Sequence, residues 1–488
     1  MMVLDANTEA LGILKSTLME NAGRSVAENI MDKFKPSKVT IYAGTGGNGG
    51  DGLVTARYLL QKGFEVEIYF LGNESRIRSS ETKLNLKNIK KINAYNNSLV
   101  LYEIEDSSQL KSTDADIVVD SILGTGTKGT LREPISSAVD LINESRANVF
   151  SVDIPTGIDP LTGKVGDKAV KADITVTFHK PKTGILKADP KYIGSLKVCD
   201  IGIPREAEIF TGPGEILGLS KRNEISHKGQ NGRVLVIGGS ENYSGAPAFA
   251  GLSALRSGVD LSIIACPKSV SDSIRSYSPD LIVRDLSSNY LCFEDSSDLI
   301  DMTDNADSMI IGCGIGKEEE TGLVLNEIIQ KIQKPMVIDA DALKIVDKNL
   351  IRQSDNEIVL TPHTAEFMAF FGYALPDDFQ KKIETVKEAA KDFGCTILLK
   401  GPVDIISNGE LIKLNSTGNS GMTVGGTGDV LAGLVGGLIA SGHDVFEAAC
   451  LGSFINGTAG DLAKNDYGYN FLASDILNYI PKVFMGKY

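Results

Sequence analysis

The stretch 422-MTVGGTGDVLAGLVGGLIASG-442 places one acid, Asp429, between a glycine-rich turn and a long apolar run. The apolar run predicts a helix, and the glycines before it predict a tight turn that leaves backbone N–H groups pointing out of the helix start. The helix dipole adds about half a positive charge there, so the turn predicts an anion site that a phosphate can approach closely. Asp429 at its edge is placed to act as a base toward a hydroxyl that receives a phosphoryl group.

The same residues also have a purely structural interpretation. Asp429 can serve as the N-cap of the helix instead of as a base. Gly433, Gly436 and Gly437 lie inside the predicted helix and are expected to be packing positions.

This stretch ends the second of two series in which strand patterns alternate with helix patterns. The strands of the second series are predicted from RVLVIGG (233–239), LSIIAC (261–266), SMIIGCGIG (308–316), KPMVIDADAL (334–343), EIVLTPH (357–363) and CTILLKG (395–401). Those of the first series are predicted from VTIYAG (39–44), EVEIYFLG (65–72), ADIVVD (115–120), NVFSVD (148–153) and ADITVTF (172–178), after a helical pattern over 8–34. Such alternation predicts two doubly wound, Rossmann-like α/β domains, at 1–211 and 229–488, with a linker at 212–228.

Composition excludes several classes of function. The chain has 488 residues, a net charge of -14 and a pI of about 5.0, which argues against binding nucleic acid or an anionic membrane. The six cysteines are scattered without a C-x-x-C pair, and no signal peptide or spanning segment is evident, so a cytoplasmic protein is expected.

Polar residues follow several strands of the first series. Residues 44-GTGGNG-49 match a dinucleotide-binding fingerprint, but the acid expected at the end of the next strand is displaced, which leaves a dehydrogenase as a weaker alternative. Asn48, Asp51, Asp120 and Asp153 are all expected at the carboxyl edge of one sheet. No lysine or arginine neighbours Asp120 or Asp153 in sequence, so a hard cation with oxygen ligands is one interpretation, and helix caps and turns are the other.

The first half resembles the N-terminal domain of the YjeF family, the NAD(P)H-hydrate epimerases, which implies a three-layer sandwich. The resemblance rests on 19-MENAG-23, 48-NGGDG-52, 120-DSILGTG-126 and 153-DIPTGID-159. It implies a potassium ion held by Asn48, Asp120 and Thr156, and Asp153 as the acid/base group. It also implies that the hydrated dinucleotide contacts Gly47, Asn48, Gly49, Gly50, Asp51, Gly124, Thr125, Gly126, Thr127, Lys128, Gly129, Thr130 and Asp153.

The second half resembles the NAD(P)H-hydrate dehydratases within the ribokinase-like kinases. The resemblance rests on 238-GGSENYSGAPAFAGLSALRSGVDL-261, 312-GCGIG-316, 335-PMVIDADAL-343, 361-TPHTAEF-367, 400-KGPVD-404 and 425-GGTGDVLAG-433. It implies that the hydrate contacts Ala246, Gly314, His363 and Asp429. It implies that the nucleotide contacts Lys400, Gly401, Pro402, Val403, Asp404 and Gly428.

Some of these residues have competing interpretations from sequence alone. His363 has a structural alternative, and Lys400 could be a solvated surface lysine, although its place at a strand end favours phosphate binding. Asp339 and Asp341 are interpreted either as magnesium ligands or as helix caps.

Together the two resemblances imply a bifunctional enzyme for damaged cofactors. The first domain would interconvert the R and S hydrates of NADH or NADPH, and the second would use ADP or ATP with Mg²⁺ to dehydrate the S form. A homo-oligomer acting only on small molecules is expected. The alternatives are a ribokinase-like vitamin or sugar kinase, a dehydrogenase, and a first domain that serves only as a binding or assembly module.

Overall fold

The computed structural model describes residues 1–126, 129–219 and 222–486. The chain forms two compact units. The N-terminal unit is Leu11–Pro204, and the C-terminal unit combines Arg205–Tyr488 with Met1–Ala10. The domain ranges 1–211 and 229–488 stay a prediction.

The helices and strands follow the predicted alternation. Up to residue 219 they are α1 (Met2–Ala10), α2 (Lys15–Met31), β1 (Lys38–Ala43), α3 (Gly47–Gln61), β2 (Glu65–Leu71), α4 (Ser80–Asn93), β3 (Leu99–Ile104), β4 (Ile117–Ser121), α5 (Ile135–Glu144), β5 (Asn148–Val152), β6 (Ile174–Phe178), α6 (Thr183–Lys187), α7 (Pro190–Ile193), β7 (Ser195–Cys199), α8 (Arg205–Ile209) and α9 (Pro213–Ile216).

From residue 222 the elements are β8 (Arg233–Ile237), α10 (Gly245–Arg256), β9 (Leu261–Pro267), α11 (Lys268–Tyr277), β10 (Ile282–Leu286), α12 (Ser296–Asp304), β11 (Ser308–Ile311), α13 (Glu319–Lys331), β12 (Met336–Ile338), α14 (Ala342–Ile345), α15 (Lys348–Gln353), β13 (Ile358–Leu360), α16 (Thr364–Phe371), α17 (Phe379–Phe393), β14 (Thr396–Leu399), β15 (Asp404–Ser407), β16 (Ile412–Asn415), α18 (Thr427–Ala440), α19 (Val445–Tyr467) and α20 (Ala473–Phe484). Among the described residues, no helix is long and apolar enough to span a membrane.

The N-terminal unit is built on a parallel sheet with the order β3-β2-β1-β4-β5-β6-β7. Successive side chains of β1 point to opposite faces of this sheet, as strand geometry requires. Tyr42 packs with Ala138 and Val139 of α5, whereas Ile41 lies beside Gly52 of α3. Helices therefore cover both faces, and the predicted doubly wound fold is confirmed.

The C-terminal unit has the strand order β10-β9-β8-β11-β12-β13-β14-β15-β16, with β15 and β16 antiparallel. Side chains alternate between two cores. Val234 and Val236 of β8 pack in the core that holds α18 and α19, and Leu235 and Ile237 pack in the core that holds α13 and α17. This sheet is also doubly wound, as predicted.

Helix α18 fits among its neighbours because it carries glycines at its contacts. A Cβ on Gly433 would lie 2.1 Å from the Ala250 carbonyl oxygen, and one on Gly437 would lie 2.1 Å from Ser257 Oγ. A Cβ on Gly436 would lie 2.5 Å from Ile310. The predicted packing role of these three glycines is confirmed.

The N-terminal helix α1 belongs to the C-terminal unit rather than to the sheet that follows it in sequence. Asn7 donates to Glu215 Oε2 (3.1 Å) and accepts from the N–H of Gly214 (2.8 Å). The chain turns away at Gly12, whose φ is 90°, before α2 begins. The continuous helical pattern over 8–34 is therefore two helices in different units.

Candidate active sites

The N-terminal unit has its crevice where the strand order reverses, between the carboxyl ends of β1 and β4. Helix α3 begins at Gly47, so the residues predicted to form a loop are its first turn. Two glycines bring it close to the sheet: a Cβ on Gly49 would lie 1.8 Å from the Gly44 carbonyl oxygen, and one on Gly52 would lie 2.0 Å from Ser121 Oγ. Gly46 and Gly47 are exposed, with nothing within 4 Å of an added Cβ. The backbone at this helix start is open to a ligand.

Asp120, at the end of β4, is fully buried and held by donors. Its carboxylate accepts from the Thr156 hydroxyl (2.7 Å), the Thr156 N–H (2.9 Å) and the Ser151 hydroxyl (2.8 Å). Burial raises the pKa of Asp120, although these hydrogen bonds oppose the shift. Among the described residues, no basic side chain forms an ion pair with it.

Asn48 lies beside this cluster with its amide unsatisfied. It is 9% exposed, and neither its Oδ1 nor its Nδ2 has a hydrogen-bond partner among the described residues. A Cβ on Gly124 would lie 3.4 Å from Asn48 Cβ. The N–H of Leu123, the residue before Gly124, donates to the Thr156 hydroxyl (3.0 Å). A buried, unpartnered amide oxygen near a buried carboxylate and a hydroxyl is a donor set that suits a hard monovalent cation. The residues therefore fit the predicted potassium ion.

Asp153 sits in a strained turn at the end of β5. Its φ is 65°, a conformation that non-glycine residues rarely adopt, and its N–H donates to Val176 O (2.7 Å). Its Oδ1 forms an ion pair with the Lys182 ammonium and accepts from the Thr177 hydroxyl (3.3 Å). Sequence reasoning missed Lys182 because it looked only at neighbours in the chain. The signal was present: the run HKPKTG directly follows β6, at the same edge of the sheet.

The loop after β4 borders the same crevice and is only partly described. Gly124 is half-buried, whereas Thr125, Gly126, Gly129 and Thr130 are exposed. Thr127 and Lys128 lie outside the described residues. The predicted contacts of this loop with the dinucleotide stay predictions.

The crevice of the C-terminal unit also lies where the strand order reverses, between β8 and β11. Helix α10 begins there, and Ala246 lies in its first turn. Gly314 has a φ of 65°, and a Cβ on it would lie 2.7 Å from Tyr243 Cβ and 3.1 Å from Ala246 Cβ. The structure therefore brings the two predicted hydrate-binding residues together.

Asp429 lies in the first turn of α18, at the same crevice. The N-cap is Gly426, whose φ is 100°, so Asp429 is not the cap of the helix. Carboxylate oxygens of Asp429 and Asp339 and the sulfur of Cys313 all lie within 4.8 Å of one another. Burial and, next, the charge of Asp339 raise the pKa of Asp429 to about 6, while Cys313 and Lys400 oppose the rise. Such a carboxylate is poised to exchange a proton near neutral pH.

Lys400 supplies the positive charge of this site and is not a solvated surface lysine. Its Nζ donates to Asp339 Oδ1 (2.8 Å) and lies 4.0 Å from Glu366 Oε2. Burial lowers the pKa of Lys400, but Asp339 and the other nearby acids outweigh it, and the net shift is upward. A Cβ on Gly428 would lie 3.4 Å from the same Nζ, which places the lysine at the start of α18.

The two acids considered as magnesium ligands are both paired with lysines. Asp339 also accepts from the Thr361 hydroxyl (2.7 Å). Asp341 is the N-cap residue of α14, but its side chain makes no capping hydrogen bond and lies 2.9 Å from Lys344 Nζ. With Lys400 already inside the acidic cluster, these residues fit magnesium only as an ion that arrives with the nucleotide's phosphates.

His363 serves as the N-cap of α16. Its Nδ1 accepts from the N–H groups of Ala365 (3.1 Å) and Glu366 (3.3 Å), so Nδ1 carries no proton and Nε2 does. The side chain is 54% exposed. His363 therefore has a structural role as a cap, and its Nε2 lies 3.5 Å from Glu366 Oε1. Its contact with the hydrate stays a prediction.

The turn from Gly401 to Asp404 is shaped by its own acid. Asp404 accepts from the Gly401 N–H (3.0 Å) and the Ser453 hydroxyl (2.6 Å), and burial raises its pKa. Gly401 and Pro402 are exposed and Val403 is half-buried. The turn can present its backbone to a nucleotide, but the Asp404 carboxylate is engaged in holding it.

Comparisons with known proteins find a matching family for each half of the chain. A family model described as NAD(P)H-hydrate dehydratase matches residues 234–482, and one described as YjeF-related protein N-terminus matches residues 15–184. The bifunctional NAD(P)H-hydrate repair enzyme Nnr of Methanothermobacter thermautotrophicus is 47% identical over 488 residues, covering 99% of this chain and 94% of the relative.

The chain belongs to the family of bifunctional NAD(P)H-hydrate repair enzymes. A second NAD(P)H-hydrate repair enzyme, from Pyrobaculum aerophilum, is 42% identical over 99% of this chain and 96% of its own length. Among solved structures, the ADP/ATP-dependent NAD(P)H-hydrate dehydratase of Bacillus subtilis, co-crystallised with ATP and Mg²⁺, is 26% identical. It superposes with a TM-score of 0.51 over 57% of this chain and 99% of its own length. The ribokinase-like fold predicted for the second half is thereby confirmed.

Proposed function

We propose that the protein repairs hydrated NADH and NADPH. The N-terminal unit interconverts the R and S hydrates, and the C-terminal unit converts the S hydrate to NAD(P)H. ADP or ATP drives that conversion and yields AMP or ADP and phosphate. The observation that carries the proposal is the Asp429–Lys400 cluster at the start of α18, in a chain that shares 47% identity with a repair enzyme over nearly its full length.

Dehydration in the C-terminal unit runs through phosphorylation. Hydroxide is a poor leaving group and phosphate a good one. Asp429, with a pKa of about 6, accepts the proton of the substrate hydroxyl. At the same time the hydroxyl oxygen of the substrate attacks the terminal phosphorus of the nucleotide. The free N–H groups at the start of α18 and the Lys400 ammonium stabilise the charge on the phosphoryl group. Loss of phosphate and of the adjacent ring proton then restores the dihydropyridine.

Nucleotide and hydrate are held by residues around this centre. Lys400, Gly401, Pro402, Val403, Asp404 and Gly428 bind the nucleotide, chiefly through backbone groups and the ammonium. Ala246, Gly314, His363 and Asp429 border the hydrate. The support for this division is that Gly428, at the start of α18, lies beside Lys400 Nζ, that Lys400 pairs with His363 in a β-bridge, and that Gly314 lies beside Ala246.

Epimerisation in the N-terminal unit uses a separate set of groups. Asn48, Asp120 and Thr156 would hold a potassium ion, which would supply a positive charge beside the buried carboxylate. Asp153 exchanges the proton. The start of α3, from Gly47 to Asp51, where Gly47 is exposed, and the loop from Gly124 to Thr130 bind the dinucleotide.

The setting of the enzyme is also part of the proposal. Six cysteines without disulfides suit a reducing, cytoplasmic environment. Formation of a homo-oligomer stays a prediction.

The test is recovery of absorbance at 340 nm from a mixture of R and S hydrated NADH. Purified protein is supplied with Mg²⁺, K⁺ and either ADP or ATP. We expect recovery beyond the S fraction, faster than spontaneous epimerisation, and it identifies the donor. Recovery that stops at the S fraction would contradict the epimerase. No recovery with either nucleotide would refute the proposal and favour a kinase acting stably on another alcohol.

A further inference from the structure

Lys182 is a buried lysine of the crevice to which neither resemblance assigned a role. Only 9% of the residue is exposed, and its Nζ reaches three oxygens. These are Asp153 Oδ1, the Thr177 hydroxyl (3.2 Å) and the Phe178 carbonyl (3.4 Å). Since an ammonium has three protons, these partners use its whole donor capacity. Lys182 therefore is not set up to bind a phosphate of the substrate.

The segment that carries Lys182 is built onto the turn that follows Asp153. The N–H of Gly184 donates to the Pro160 carbonyl (2.8 Å), and a Cβ on Gly184 would lie 2.2 Å from the Asp159 carbonyl oxygen. A residue with a side chain could not approach so closely. This backbone contact holds the segment of Lys182 against the turn that follows Asp153, independently of the ion pair.

The ion pair constrains the orientation of the Asp153 carboxylate. Thr177, on β6, and Lys182, just after it, both bind Oδ1, whereas Asp153 itself follows β5. Among the described residues, the hydrogen bonds to this carboxylate end at Oδ1. A carboxylate anchored through one oxygen on a strained backbone keeps the other at a fixed position for the substrate.

Resting on the epimerase activity proposed above, we propose that Lys182 is a positioning residue for epimerisation that acts through Asp153. It holds Asp153 Oδ1, with the help of Thr177, so that the second oxygen meets the reacting centre. Without the lysine the carboxylate turns away while the dinucleotide still binds. The loss therefore falls on kcat and not on KM.

The experiment uses the full chain with Lys182→Met, Lys182→Ala and Thr177→Val. Conversion of R to S hydrate is followed by chromatography without nucleotide, so that no dehydration occurs. Lys187→Met removes an exposed lysine of α6 as the matched control. Dehydration of the S hydrate with nucleotide reports on the C-terminal unit of every variant.

We expect Lys182→Met to lower kcat for epimerisation about 100-fold with KM unchanged. Thr177→Val should lower kcat for epimerisation less, and Lys187→Met should leave it unchanged. The dehydration rate should be the same in every variant. Ethylammonium, which fits the space left in Lys182→Ala, should restore part of the lost kcat, and tetramethylammonium should not.

Three results would overturn the positioning role while the epimerase stands. The first is an unchanged kcat in Lys182→Met, and the second is a change in KM alone. The third is a fall in kcat that parallels the fall in thermal stability across the variants and is not reversed by ethylammonium. If the unaltered protein does not convert R to S hydrate, the proposed epimerase fails and this role fails with it.

Discussion

Replacing Asp429 by asparagine should stabilise the protein at alkaline pH while abolishing dehydration. The folded protein raises the pKa of this carboxyl from about 3.8 to about 6, so the ionised form is held against burial and the charge of Asp339. Two pKa units correspond to about 3 kcal/mol, and water at the open side of this half-buried group reduces the figure to about 1–3 kcal/mol. Asparagine removes that cost and keeps the shape.

The raised pKa also determines how the effect of Asp429→Asn on stability depends on pH. A raised folded pKa means that the group contributes stability that is full below pH 3.8 and is lost as the pH rises through about 6. Asp429→Asn should therefore gain most over the native protein at pH 8, and the gain should shrink toward pH 5. Dehydration by the native protein should fall below about pH 6 as the base becomes protonated.

The assay is thermal unfolding of the full chain at pH 8 and pH 5, followed in the transition of the C-terminal unit. Asp377→Asn, at an exposed acid, is the control for removing a negative charge. Dehydration of the S hydrate should fall about 10²- to 10⁴-fold in Asp429→Asn, and epimerisation should persist. A variant that is less stable than the native protein at pH 8, or one that keeps its dehydration rate, would refute the reasoning.

Three further outcomes are expected. Epimerisation should rise with K⁺ and not with choline, and Asn48→Ala should weaken that dependence in a titration of rate against salt. Lys400→Met leaves Asp339 buried and unpaired, so dehydration should fall and the unit should lose about 3–5 kcal/mol in denaturant unfolding. Gly433→Ala places a Cβ 2.1 Å from the Ala250 carbonyl and should cost about 1–3 kcal/mol, measured in the same way with Gly425→Ala, whose added Cβ would meet nothing within 4 Å, as control.

The sequence was sufficient for the strands and for the edge at which the sites lie. Apolar runs such as RVLVI and VTIYA are buried on both faces of parallel sheets, so they stand out in a chain, and the polar residues after them fall at one edge. It was not sufficient for helix starts. A helix begins at Gly47 because Gly49 and Gly52 let it lie against the sheet, and that contact is tertiary.

Pairings across the sheet were also beyond sequence reasoning. Lys182 meets Asp153, and Lys400 meets Asp339, only after strands distant in sequence become neighbours. The location of α1 with the C-terminal unit depends in the same way on Asn7 and Glu215, which are more than 200 residues apart. Local patterns carry no information about such partners, although the lysines themselves were visible at strand ends.

Asp120, Asp153 and Asp429, the three acids of the proposed sites, have different partners, and each setting predicts a different chemistry. Asp120 is surrounded by hydroxyl and N–H donors with an unsatisfied amide alongside, which favours recruiting a cation from solution. Asp153 is paired with a lysine, which favours a carboxylate of fixed orientation. Asp429 shares Lys400 with Asp339, and the direct contact goes to Asp339. It is therefore left with a raised pKa, and a carboxylate that binds a proton near neutral pH is the one suited to take a proton from an alcohol.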